Sequence, residues 1–110
     1  VGKFLERCYA LLNEDGILAV TVPPAKHNIV GGHVSLWNAG LLLYNLILAG
    51  FDCSKASVKS YGYNISVIVR KKKADLPKLR MDSGDIITLS DFFPFEVTEG
   101  FDGQIGEVNW

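Results

Sequence analysis

The sequence has few of the residues that mark specialised folds, and each shortage excludes something. Two cysteines in 110 residues, Cys8 and Cys53, cannot make a disulfide framework. They read as buried free thiols, which suits a reducing compartment, so a cytoplasmic location is expected. The two histidines, His27 and His33, stand six apart in a glycine-containing loop with no cysteine or carboxylate cluster beside them. That spacing is unlike a structural zinc site, and no metal is expected. Neither charge sign dominates: eleven basic and twelve acidic residues leave a formal net charge of -1. Nothing in that balance attracts nucleic acid or an anionic membrane, and neither is expected as a partner. No serine sits in a G-x-S-x-G elbow, so a hydrolase triad has no support. Repeats, low-complexity segments and a signal peptide are also missing. The chain opens without Met, and Val1 runs straight into Phe4-Leu5-Glu6-Arg7 in the middle of a helical pattern. Further chain is therefore expected upstream.

A long unbroken apolar run is missing too. Val34 to Phe51 comes nearest, approaching the roughly 20 residues of a membrane-spanning helix. Ser35, Asn38, Gly40, Asn45 and Gly50 interrupt it, and Asn38 and Asn45 share one helical face. No arginine or lysine cluster flanks it to set an orientation. A helix buried on most of its circumference is the expected reading.

What is present is a globular pattern, 48% hydrophobic and 21% charged, long enough for one domain. Phe4, Leu5, Cys8, Leu11 and Leu12 recur at helical spacing, and Asn13-Glu14-Asp15-Gly16 stops that helix. Ile17 to Val22 is a branched apolar run that does not alternate, which predicts a central parallel strand covered on both faces. Pro23-Pro24 ends it. A loop from Ala25 to His33 leads to a helix over Ser35 to Ala49, closed by Gly50. Asp52 to Ser60 is a weaker strand, Tyr61-Gly62 a turn, and Tyr63 to Arg70 an alternating strand closed by Lys71-Lys72-Lys73. The first strand–helix–strand has the length of a right-handed parallel crossover, and the last two strands those of an antiparallel hairpin. From Asp75 to Trp110 the chain reads as an irregular arm pinned by aromatics, with a short helix near Leu89 to Phe93. The fold class is thus α/β, with residues 1–73 as the domain and 74–110 as an extension.

This order resembles the end of the class I S-adenosylmethionine-dependent methyltransferase fold. In that Rossmann-like family the sheet has strand order 3-2-1-4-5-7-6, and only strand 7 is antiparallel. Phe4 through Leu18 is similar to the family's helix and turn before strand 5, and Val22-Pro23 to that strand's end. Leu46-Ile47-Leu48-Ala49-Gly50-Phe51 resembles the approach to strand 6, and Tyr63 to Lys72 resembles strand 7. The resemblance covers about residues 3 to 73. The tail, from Phe92-Phe93-Pro94-Phe95 to Asn109-Trp110, is similar to an extension on some bacterial sugar- or polysaccharide-associated methyltransferases. The family's glycine-rich loop and ribose-binding acidic residue belong to its N-terminal half. No G-x-G-x-x-G occurs here. The resemblance therefore implies the C-terminal, acceptor-side half of a methyltransferase, which would not bind S-adenosylmethionine alone. It implies a small-molecule or sugar-type methyl acceptor, and either the missing N-terminal half or self-association to cover the bared strand.

In open α/β sheets ligands sit beyond the carboxyl ends of the parallel strands. The loop from Pro24 to His33 and the turn around Tyr61-Gly62-Tyr63 should reach that edge. His33, placed before a helix start, is the candidate to orient an acceptor or serve as its base near neutral pH. The competing reading is that it bonds a loop carbonyl and fixes the helix entry. His27, Tyr61 and Tyr63 are candidate substrate-binding residues, and the tyrosines could instead serve packing. Trp37 reads as core, and Arg70 to Lys73 as a solvated strand end. The competing reading of the whole is a non-catalytic α/β assembly or binding module.

Overall fold

The computed structural model describes residues 1–26 and 28–110. Helix α1 (Gly2–Leu11) leads to strand β1 (Ile17–Val22), helix α2 (Ala39–Leu48) and the hairpin β2 (Ser57–Tyr61) and β3 (Asn64–Arg70). A one-turn helix α3 (Asp85–Thr88), a 3-10 turn (Ser90–Phe92) and a two-residue strand β4 (Glu107–Val108) follow. The sheet order is β1-β3-β2-β4, and every hydrogen-bonded pair is antiparallel. Strands β1 and β2 therefore run the same way on either side of β3. A helical crossover joining two strands of like direction, with a reversed strand between them, is the arrangement expected for residues 17–70.

The core lies where α2 covers the sheet. Leu42, Leu43, Leu46 and Ile47 of α2 are fully enclosed, together with Phe51, Val58 and Val67. Burial of each such side chain contributes roughly 1.5–3 kcal/mol, so the α2–sheet contact dominates stability. The interrupted apolar run is this helix, and no described helix is long and apolar enough to cross a membrane. Both cysteines are free; Cys53 is buried and Cys8 half-buried.

Several boundaries differ from those read in the sequence. Helix α2 starts at Ala39, four residues later than expected, because Asn38 caps it: the Asn38 side-chain oxygen accepts from Leu41 N–H at 2.8 Å. Strand β2 starts at Ser57, since Asp52 accepts from Ser54 N–H and Cys53–Ala56 forms a turn. The hairpin turns on Gly62-Tyr63, where Gly62 takes φ +52° and Tyr63 does not share that conformation. A glycine in first place suits the right-handed twist of a tight hairpin. The arm's short helical segment lies where it is expected, as a 3-10 turn over Ser90–Phe92, and an additional turn of α-helix precedes it at Asp85–Thr88.

One expectation needs larger correction. Strand β1 is not central and is not covered on both faces: Leu18, Val20 and Val22 turn toward the core, while Ile17, Ala19 and Thr21 are exposed. A non-alternating sequence hid an alternating environment, because Ala and Thr are small enough for either face. The basic run is exposed at Arg70, Lys72 and Lys73, as expected of a solvated strand end, and half-buried at Lys71. Lys71 Nζ donates to Leu12 O at 2.8 Å, at the C-terminus of α1, and lies over the Tyr9 ring. A cation there offsets the unpaired carbonyls and dipole of the helix end. Arg70 donates to Asp15 O, Lys72 pairs with Asp52, and Lys73 with Asp75.

The arm is bolted to the domain. Leu89, Phe93 and Val97 enter the core, and Phe93, Phe95 and Phe101 pack ring against ring. Asp85 is buried and its carboxylate accepts from Arg80 N–H and Met81 N–H at 3.0 and 2.8 Å. Further on, Gly40 N–H donates to Gly103 O and Asn38 Nδ2 to Asp102 O. A Cβ on Gly40 would stand 2.5 Å from the Gly103 Cα, so only glycine permits this approach.

Candidate functional site

Strands β1 and β2 end on the same side of the sheet, and the chain beyond them forms two hollows. The first, about 200 Å³, lies within the loop after β1 and is lined by Pro24, Lys26, Asn28, Ile29, Val30, His33, Ser35 and Leu36. His33 is exposed and its backbone N–H donates to Val30 O, so it sits in a turn of that loop. It is not at the helix start. Asn38 holds that position, five residues on, and answers one of the unpaired N–H groups itself. Expected contact between His33 and the head of α2 is therefore replaced by a place on the hollow's rim. His27 lies outside the described residues.

The second hollow, about 240 Å³, lies between the loop and the hairpin. Pro24 and Ala25 form one wall, Trp37 to Ala39 the floor, and Ser60, Tyr61, Gly62, Asn64 and Ile65 the other wall. Gln104 of the arm closes it. Tyr61 thus lines this hollow. Tyr63 does not: it is largely exposed, with the Lys26 ammonium 4.2 Å from its ring centroid. Across that turn the cation and ring tie the loop after β1 to the hairpin. Trp37 is 9% exposed and belongs to the core, as its place in an apolar run suggests, while still reaching the hollow.

A chain of hydroxyls crosses the sheet next to this hollow. Ser66 Oγ lies 2.9 Å from Thr21 Oγ1 and 2.8 Å from the Tyr61 hydroxyl. Ser66 is only 5% exposed, so the two partners satisfy an otherwise costly buried hydroxyl. These bonds also fix the Tyr61 ring over the end of β2. Thr21, Ser66, Asn38, Asn64 and Gln104 were not singled out from the sequence. Asn38 was within reach, because an Asn before a helical run is a cap signal. Gln104 was not, since its position depends on where the arm docks.

The groups with displaced protonation lie elsewhere. Burial, with Asp52 adding to it, pushes the Cys53 thiol far above its ordinary range, so Cys53 is no nucleophile. Burial first, and then the Asp85 and Glu99 carboxylates, raise the Tyr44 phenol. Among the described residues no three His, Cys, Asp or Glu side chains come together to hold a metal ion.

A third feature lies along the outer edge of β1. Leu18, Val20 and Val22 bond toward β3: Lys71 N–H donates to Gly16 O at 2.6 Å, and antiparallel pairing alternates from there. The N–H and C=O groups of Ile17, Ala19 and Thr21 consequently point away from the sheet. Beside them runs an apolar groove of about 380 Å³ lined by Val1, Phe4, Leu5, Val20, Thr21, Val22, Trp37 and Leu42. Phe4 is 69% exposed there, and Leu11, further along α1, is 78% exposed. No family model, no curated protein and no solved structure matches the chain.

Proposed function

We propose that this chain is the C-terminal, acceptor-side part of a class I S-adenosylmethionine-dependent methyltransferase and is incomplete without an N-terminal cofactor-binding half. The observation that carries the reading is the sheet. Strands β1 and β2 run alike, β3 runs against both from between them, and the outer edge of β1 is open. That order corresponds to strands 5-7-6 of the family, with the open edge where strand 4 would pair. The glycine-rich loop and the acidic residue that hold the cofactor would come from the other half. In this reading the two hollows at the strand ends receive the acceptor. Tyr61 lines one and His33 the rim of the other, with His27 and Tyr63 in the flanking segments.

Methyl transfer is an in-line displacement at the sulfonium carbon, so the protein's main contribution is to hold the acceptor atom in line. His33 would accept the acceptor's proton where that proton must leave. His33→Ala in the full-length protein is expected to lower turnover with little change in melting temperature. A fall in melting temperature, with activity per folded molecule unchanged, would return His33 to a structural role.

The deciding experiment uses the full reading frame. A glycine-rich strand–loop–helix is expected about 100 residues upstream of Val1, since each βαβ unit takes roughly 30 residues. Isothermal titration with S-adenosylmethionine should show micromolar binding by the full-length protein and none by the 110-residue chain. Stoichiometric micromolar binding by the short chain, or an upstream sequence without such a loop, overturns the proposal. The open β1 edge and its apolar groove also favour a second reading, an assembly module that joins copies of itself without catalysis. Full-length protein that neither binds the cofactor nor transfers methyl groups, yet self-associates, would select it.

A further inference from the structure

We infer that the hollow between the hairpin and the loop after β1 binds a neutral, hydroxyl-rich ring of monosaccharide size, and that Gln104 of the arm is one of its binding residues. The lining carries the argument. Among the described residues, no Asp, Glu, Lys, Arg or His side chain borders the hollow. Charges in the adjoining segments already have partners: Lys26 lies on Tyr63, Lys59 pairs with Glu107, and Asp102 accepts from Gln104 N–H at 2.9 Å. An anion would meet no cation in the hollow, and a cation no carboxylate. A wholly apolar ligand would strip water from the amides of Asn64 and Gln104 without replacing its hydrogen bonds. A side-chain amide offers both donors and an acceptor, which matches a hydroxyl group that does both. Asn64 and Gln104 are exposed residues bordering the hollow, and Trp37 and Tyr61 line it as well. The volume, about 240 Å³, falls below the roughly 300 Å³ at which pockets for larger ligands begin.

Gln104 is held in place and does not merely pass by. The preceding two residues are clasped to the head of α2 by Gly40 N–H to Gly103 O and Asn38 Nδ2 to Asp102 O. Asn38 uses both ends of its amide here, its oxygen accepting from Leu41 N–H and its nitrogen donating to Asp102 O, so it is a positioning residue. Tyr61 is likewise fixed through its hydroxyl to Ser66. The arm is thereby part of the site and more than a cover for the domain.

As an acceptor site this hollow rests on the methyltransferase reading; as a binding site it is tested without the cofactor. Saturation-transfer difference NMR on the 110-residue chain would use methyl β-glucopyranoside, methyl β-galactopyranoside and methyl α-mannopyranoside, with glucose 6-phosphate and uridine alongside. At least one neutral glycoside is expected to bind in the millimolar range. Gln104→Ala and Asn64→Ala should each weaken it about three- to tenfold, the value of one hydrogen bond, without changing the melting temperature. Tighter binding of glucose 6-phosphate or uridine than of every neutral glycoside, no glycoside binding, or binding indifferent to both substitutions overturns the inference. Glycoside binding by a protein whose full-length form transfers no methyl group would defeat the methyltransferase reading alone.

Discussion

The two edges of the sheet are finished in opposite ways. At the β2 edge, β4 adds two residues, Lys59 faces Glu107, and Ser60 N–H, Ser57 Oγ and Asn109 Nδ2 make hydrogen bonds across the join. Trp110 then lies against Tyr61, with Lys59 near both rings. A very short strand with charges is a common way to keep an edge from pairing with other chains. At the β1 edge, the sequence ILAVTV carries no charge, three residues leave their backbone groups unpaired, and an apolar groove runs alongside. The contrast teaches that the β1 edge is unfinished as it stands. Its chemistry suits pairing with another strand.

Each edge can be altered separately. The largest effect is expected from Gly40→Ala, whose Cβ would meet Gly103 and the Phe101 ring. Overpacking of this kind costs about 1–3 kcal/mol. It should also lift the arm and open the second edge, so urea unfolding should show the loss and amide exchange in β2 should rise. Unchanged protection of β2 would mean that β4 stays without the clasp. Next in size is Ala19→Lys at the open edge. The parent chain is expected to self-associate, and the variant to be monomeric by light scattering, with stability altered by less than about 0.5 kcal/mol because the position is exposed. A parent chain that is already a compact monomer, with β1 amides exchanging freely, would show that the edge needs no cover. The smallest effect belongs to Glu107→Lys, which puts like charges face to face beside β4. The ion pair is 3.5 Å long and well exposed, so roughly 0.2–1 kcal/mol is expected, read most easily from Trp110 fluorescence.

Elements governed by local rules were legible, and those governed by distant contacts were not. Helix α1 and strand β3 follow from periodicity, strand β1 from its branched apolar run, and the hairpin from Gly62. The direction of β1 relative to β2 followed from connection length. The head of α2 was misplaced because Ser35, Leu36 and Trp37 continue the apolar run, although Asn38 is where the capping bond forms. The exposure of Ile17, Ala19 and Thr21 could not be read, because burial of a strand face depends on what lies across from it. Tyr61 reaches a hollow as expected, while Tyr63 turns out to hold the loop through Lys26. Gln104 had no local signal at all: only the distant pair Gly40 and Gly103 brings it to the strand ends.

That glycine pair also has a consequence in time. The clasp beside it, Asn38 to Asp102, joins residues 64 apart in the chain. Closing so long a loop costs conformational entropy before any contact repays it, which favours the nearer pairings of α2 with the hairpin as the earlier events. The arm should therefore dock after the rate-limiting barrier has been crossed. In a chevron of Gly40→Ala the unfolding limb should rise and the folding limb should barely move. Equal movement of both limbs would put the clasp inside the folding nucleus. If the arm does dock late, Gln104 is among the last residues to arrive and among the first to leave.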